Sequence, residues 1–184
     1  MTARLILLNG PPGIGKSTLA QRFADEHPLA LALDLDVVRG MLGRWQDQPI
    51  EAGLLARALT LAMAREHLRA GRDVMIPQYL GRPQFIAQAE QLAAEAGVPF
   101  LEFVLMDGRD SAVRRFEQRT AAAATRAHVQ AGELMESFGG RPALEAMYDR
   151  LLLVLSHRPR AQVIHTRDGD PDAAYSELRR RLDT

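Results

Sequence analysis

The sequence predicts a three-layer α/β fold, with a five-stranded parallel sheet carrying helices on both faces. Short apolar runs alternate with stretches of helical period along the chain, and a glycine-rich loop follows directly on the first run. At 184 residues with 47% apolar content, the length suits one domain over 1–184 whose core needs no disulfide or metal staple.

Arg4 to Asn9, rich in Leu and Ile, is the first buried strand. Gly10-Pro11-Pro12-Gly13-Ile14-Gly15 cannot continue it, because two prolines and three glycines break any regular repeat. Ser17 to Glu26 is expected as a helix with Leu19, Ala20, Phe23 and Ala24 on one face. Leu29 to Leu33 is the second strand, ending in Asp34-Leu35-Asp36, with a short helix through Val37, Val38, Met41 and Leu42. Residues 51–70 form a long helix stopped by Gly71, Asp73 to Pro77 the third strand, Gln84 to Ala96 a helix closed by Gly97, and Pro99 to Met106 the fourth strand.

Asp110 to Gln118 begins a helix that passes into the alanine-rich, arginine-bearing segment Arg119 to Gln130 and a Gly139-Gly140 break. That composition predicts a movable lid over about 118–140. Pro142 to Ser156 is an amphipathic helix, Ala161 to His165 the fifth strand, and Pro171 to Leu182 a closing helix started by Asp170 and Pro171.

The composition removes several function classes. Lysine plus arginine and aspartate plus glutamate both number 23, so no bulk field attracts long nucleic acid or an anionic membrane. With no cysteine, disulfides, thiol nucleophiles and cysteine metal sites are excluded. The apolar start is too short for a signal peptide, and no run approaches the roughly 18 apolar residues of a membrane helix, so a cytoplasmic protein is expected. The five histidines, His27, His67, His128, His157 and His165, lack metal-ligand spacing and are expected as surface or core residues.

Of the 23 basic residues, Lys16 is the only lysine. A chain that otherwise writes positive charge as arginine keeps its one compact, flexible ammonium inside the glycine loop. Gly10-Pro11-Pro12-Gly13-Ile14-Gly15-Lys16-Ser17 is the P-loop pattern of Gly, four residues and Gly-Lys-Ser, lying between a predicted strand and helix. Its glycines let backbone N–H groups face a phosphate. Gly10 to Thr18 is therefore expected to bind a nucleoside triphosphate, with Lys16 on the β- and γ-phosphates and Ser17 ligating Mg²⁺.

Asp34 and Asp36 fall at a strand's carboxyl end, where open parallel sheets collect ligands. One carboxylate is expected near Mg²⁺ and one near an acceptor hydroxyl whose proton it takes, with Arg39 one helical turn beyond to hold the acceptor. The alternative for Asp36 is that it caps the helix begun by Val37. Arg109, Arg114, Arg115, Arg119 and Arg126 surround the predicted lid, and Arg119 and Arg126 are expected on the nucleotide. Trp45, Gln78, Tyr79 and Arg82 are candidates for an acceptor pocket.

With the loop, Asp36-Val37-Val38-Arg39 and the arginine-rich lid in place, the chain resembles the small P-loop kinases over nearly its whole length. That group includes polynucleotide 5′-hydroxyl kinases, chloramphenicol phosphotransferases, zeta-type toxins, and gluconate and shikimate kinases. The resemblance implies a P-loop NTPase fold of sheet order 2-3-1-4-5. It also implies adenine held between Arg119 and the loop Thr166-Arg167-Asp168-Gly169-Asp170. An Asp and Arg pair resembling the polynucleotide kinases matches Asp36 and Arg39, whereas the shikimate kinase Asp-x-Asp matches Asp34 and Asp36. Many relatives carry an acidic residue after the third strand; here Pro77-Gln78 stands there, so either the metal relies on Ser17 and Asp34 or substrate handling differs from the polynucleotide kinases.

The expected function is a kinase moving the γ-phosphate of ATP·Mg²⁺ to a hydroxyl of a small molecule or nucleotide-like acceptor. Catalysis falls to Lys16, Asp36, Arg39 and Arg119. Two rivals remain open: an ATPase or nucleotide switch with water as acceptor, for which Gln78 is the candidate positioning residue, and an ATP-binding chain that has lost catalysis. The absence of an Asn/Thr-Lys-x-Asp motif favours ATP over GTP.

Overall fold

Strand β1 (Leu5–Asn9) is buried along its whole length. Its odd residues Leu5 and Leu7 join one core cluster, and its even residues Ile6 and Leu8 join another on the opposite face of the sheet. That two-sided burial is why the run is continuously apolar instead of alternating. The computed structural model describes residues 3–122, 126–167 and 170–183, and for 126–128 the backbone alone.

The described strands are β1, β2 (Leu31–Ala32), β3 (Val74–Pro77), β4 (Phe100–Met106) and β5 (Gln162–His165). They form one sheet in the order β2-β3-β1-β4-β5, as the resemblance implies, and every neighbouring pair is parallel. β1 is central, with Leu7 opposite Ile76 on one side and Glu102 on the other. The second strand is shorter than the expected Leu29 to Leu33, because Leu29 takes a positive φ of 63° and cannot enter the ladder.

On one face, α1 (Lys16–Glu26) buries Leu19, Ala20 and Phe23, and α8 (Pro171–Leu182) buries Ala174, Tyr175 and Leu178. On the other, α3 (Pro49–Arg69) and α4 (Pro83–Ala96) present Ala56, Ala64, Leu68, Phe85, Ile86 and Ala89 to Leu5, Leu7, Val74 and Ile76. Each fully buried Leu, Ile or Phe contributes about 1.5–3 kcal/mol.

Between β2 and α3 lie α2 (Leu35–Gly40) and a 3-10 turn over Trp45–Asp47, which the sequence did not predict. After β4 come α5 (Arg109–Ala122), α6 (Arg126–Ser137) and α7 (Gly140–Ser156). Val113 and Phe116 of α5 pack with Leu144 of α7, and Ala131 and Met135 of α6 pack against them. The predicted lid region is therefore helical on both sides of its alanine-rich middle. The Gly139-Gly140 break, with φ of 109° and 61°, sets the start of α7. Among the described residues, no helix is long and apolar enough to cross a membrane.

Candidate active site

At the carboxyl end of β1, Asn9 is buried and uses its whole amide. Its Oδ1 accepts from Gly10 N at 2.8 Å and from Leu80 N at 2.9 Å, while Nδ2 donates to Leu80 O at 3.2 Å. Asn9 thus ties the start of the phosphate loop to the segment after β3. Sequence reasoning passed over it; the signal was a lone polar residue closing an apolar strand just before Gly10.

Two glycines of the loop are required by close approach. A Cβ on Gly10 would stand 2.7 Å from Leu105 O, and one on Gly13, at φ +83°, 2.9 Å from the backbone of Phe116. The loop is therefore clamped between β4 and α5. Gly15, at φ 102°, ends it as the N-cap of α1. No acidic residue of α1 itself occupies its first turn, so the helix does not neutralise its own positive dipole end. Pro11 and Ile14 are buried beneath the loop, whereas Ser17 and Thr18 stand exposed at its mouth.

Lys16 is buried, and its Nζ donates to Gly10 O at 2.9 Å and Pro11 O at 2.8 Å. Burial lowers its pKa from 10.5 to about 7, with the Arg119 guanidinium adding to the fall and Asp36 and Asp34 opposing it.

Asp34 is the N-cap of α2. Its Oδ1 accepts from Asp36 N at 2.8 Å, and its Oδ2 accepts from Ser17 Oγ at 2.6 Å. The capping duty weighed for Asp36 belongs to Asp34, since α2 starts two residues earlier than expected. Asp36 is thereby released: it sits in the first turn of α2 and pairs with Arg39 at 3.1 Å. The protein around the cleft floor pushes the Asp36 carboxyl up from its usual value, Arg39 pulls it down, Asp34 pushes up, and Lys16 and Arg119 pull down. Because 62% of the side chain is open to solvent, water moderates that push.

Arg39 lies with its guanidinium 4.5 Å over the ring of Trp45, a cation–π stack that fixes its plane. Arg119, on α5 one turn beyond Phe116, lies 5.4 Å over the Phe116 ring and makes no ion pair with any described residue. Burial pushes its guanidinium down while Asp36 and Asp34 pull it up. Arg119 thus belongs to a helix packed on the phosphate loop, not to the alanine-rich segment where the sequence suggested it.

Several predicted residues go elsewhere. Arg109 pairs with Asp149 at 3.0 Å and Arg115 with Asp107 at 3.1 Å, both bracing α5, while Arg114 is exposed. The side chain of Arg126 and the residues Asp168 and Gly169 of the expected adenine loop lie outside the described residues. Thr166 of that loop is buried and donates its hydroxyl to Met106 O at 3.4 Å. Tyr79 donates its hydroxyl to Met147 O at 2.9 Å and so braces α7. Gln78 carries its backbone N–H to Leu8 O at 3.1 Å.

The Ser17 and Asp34 oxygens are hard donors of the kind Mg²⁺ takes when phosphate oxygens and water complete its shell. Among the described residues, no group of three or more His, Cys, Asp or Glu could hold a metal ion.

Comparison with known proteins bears on the family and the fold. A family profile described as an AAA domain matches residues 5–139. The Mycobacterium tuberculosis protein Rv2004c is 37% identical over 114 residues, covering 55% of this chain but 23% of that protein. The chain thus spans about a quarter of that relative's length. An adenylate kinase from Synechococcus sp. (strain RCC307) is 33% identical over 133 residues, covering 66% of this chain and 71% of that one. A solved gluconokinase from Sinorhizobium meliloti shares the fold, with a TM-score of 0.58 at 14% identity over 99% of this chain and 95% of its own.

Proposed function

The chain belongs to the AAA domain family and to the small P-loop kinases, and on that premise we propose that it transfers the γ-phosphoryl group of ATP to the hydroxyl of a small-molecule or nucleotide-like acceptor. One observation carries the reading. Ser17 of the phosphate loop, next to the buried Lys16, donates its hydroxyl to Asp34 Oδ2 at 2.6 Å, and Asp34 Oδ1 accepts from Asp36 N at 2.8 Å, so both carboxylates stand at the mouth of the loop.

The chemistry divides among the residues present. The N–H groups of Gly13 to Thr18 and the Lys16 ammonium bind the phosphates. Ser17 and Asp34 would hold Mg²⁺, which supplies charge neutralisation on the β- and γ-oxygens. As the acceptor oxygen bonds to the γ-phosphorus, the bond from that phosphorus to the β–γ bridging oxygen breaks and ADP leaves. The acceptor's proton passes to Asp36, and Arg39 holds that carboxylate in place. Arg119 offers its guanidinium to the charge spread over the transferring group. The segment 118–140, beginning with the last turn of α5, is the lid that excludes water, and Arg126 is a candidate second contact to the nucleotide.

The test follows label from γ-labelled ATP with a panel of alcohols, in wild type and Asp36→Asn. Label on an acceptor, falling by about 10²–10⁴-fold with Asp36→Asn, is the expected outcome. Label released only as free phosphate, at a rate that Asp36→Asn leaves unchanged, rejects both the base and the kinase.

A further inference from the structure

Helix α3 carries apolar side chains on both faces. It seats Ala56, Ala64 and Leu68 in the core, yet Ile50, Leu54 and Leu55 keep 75%, 59% and 50% of their surface open to solvent. Leu59 and Met63 are exposed on the same helix. A helix that packs on one side only is expected to be polar on the other. Five large apolar side chains left open along one helix make a patch of the kind that another molecule covers.

The order of residues along that open face says what covers it. Glu51, Ala58 and Arg65 follow one another at intervals of seven, close to two helical turns, so they fall on one line along the helix. Leu54, Leu55 and Ala62 lie beside that line, and all of these residues except Arg65 are classed as exposed, with 42% of the Arg65 side chain open. The face therefore runs from acid through leucine and alanine to base. Its two charges are weakly engaged within the chain: Glu51 makes no ion pair among the described residues, and Arg65 reaches Glu95 only at 3.6 Å.

Reversed, this face is its own complement. In an antiparallel pair of α3 helices with a two-fold axis at Ala58, Glu51 of each copy stands opposite Arg65 of the other, because both lie seven residues from the axis. Ala58 and Ala62 carry only methyl groups, so the helices can approach closely, with Leu54 and Leu55 of one copy packed over the alanines of the other. A parallel pair would set Glu51 against Glu51 and Arg65 against Arg65, which like charges oppose. We infer that the open face of α3 is a homodimer interface, across which two copies of this chain pair antiparallel about Ala58. The inference does not rest on the phosphotransferase reading, and its test needs no substrate.

Sedimentation velocity over a concentration series follows wild type, Ala58→Arg, Glu51→Arg and the double variant Glu51→Arg with Arg65→Glu. A melting curve for each variant confirms that it folds. Because the chain has no cysteine, Ala58→Cys supplies a single thiol whose disulfide under mild oxidation can form only between copies. Ala94→Cys, at an exposed position of α4, is its control.

The expected result is a reversible monomer–dimer equilibrium with a Kd of about 1–100 μM, as suits a small interface. Ala58→Arg sets two guanidinium groups on the axis, and Glu51→Arg sets arginine against arginine at both ends; each raises Kd by about tenfold or more. The double variant exchanges the charges and returns Kd to near the wild-type value, and Ala58→Cys links into a covalent dimer while Ala94→Cys does not. A wild type that stays monomeric up to about 500 μM, well above that Kd range, overturns the inference and leaves the face to a different partner. A dimer that Ala58→Arg leaves unchanged overturns it too, since the copies then meet elsewhere. A dimer that Ala58→Arg weakens but the charge exchange does not restore overturns the antiparallel pairing.

Discussion

Gly13 and Phe116 are in direct backbone contact: a Cβ on Gly13 would stand 2.9 Å from both the nitrogen and the Cα of Phe116. The loop that faces the phosphates and the helix that carries Arg119 therefore form one packed unit. Arg119 is positioned by that contact, three residues on, before any lid movement.

Gly13→Ala tests the contact. At φ +83° an alanine is strained, and its methyl meets backbone that cannot step aside. We expect a loss of about 1–3 kcal/mol in unfolding free energy, together with a fall in kcat as Arg119 shifts. Denaturant unfolding and steady-state kinetics check both.

Asn9→Leu is expected to cost about 2–4 kcal/mol, since it leaves Gly10 N and both backbone groups of Leu80 buried without their partner. The nearly isosteric Asn9→Asp restores the two accepted bonds but puts a carboxylate against Leu80 O, so it recovers only part of the loss. Thermal melts of the two variants, compared with wild type, give the order.

Lys16 predicts a proton linkage. Its folded pKa, about 7, lies below the 10.5 of the ordinary side chain. Between those values the unfolded chain holds a proton that the folded one lacks, so this group's contribution makes stability rise with pH across that window and level off above it. Bound triphosphate favours the ammonium, so nucleotide binding near pH 8 takes up a proton and weakens as pH rises. Calorimetry in buffers of different ionisation enthalpy measures the uptake, which Lys16→Met abolishes. Arg119→Ala, by removing the second cause of the depression, moves the linkage to higher pH.

Asp34 and Asp36 separate by readout. Asp34→Ala removes a helix cap, at about 1 kcal/mol, and raises the Mg²⁺ concentration needed for half-maximal rate. Asp34→Asn keeps the cap and shows the Mg²⁺ effect alone. Asp36→Asn leaves stability and Mg²⁺ dependence near wild type and lowers kcat. For wild type, kcat/KM falls toward acid as Asp36 protonates, and because its carboxyl is pushed up, that fall begins at a higher pH than for an unperturbed aspartate.

Local patterns were legible wherever the physics is local. The alternation of apolar runs and helical periods yielded the parallel sheet, and the loop residues stood between strand and helix as their glycines and prolines required. Boundaries slipped where a single backbone state decided the outcome. Leu29 at positive φ shortened β2, and capping by Asp34 moved the start of α2 back to Leu35. That two-residue shift changed which carboxylate was free, and no propensity within Asp34-Leu35-Asp36 distinguishes the two.

By itself the sequence determined the sheet, the phosphate loop and the identity of its one lysine, because each depends on neighbours along the chain. Only the tertiary structure decided that Asp34 serves Ser17, that Arg39 stacks on Trp45, that Arg109 and Arg115 brace α5, and that Arg119 alone of the described lid arginines joins the Lys16 cluster. Those partners are up to about a hundred residues apart. Which guanidinium meets which carboxylate is set by burial and close packing across the fold, and several identical side chains on one helix carry no local mark of their separate partners.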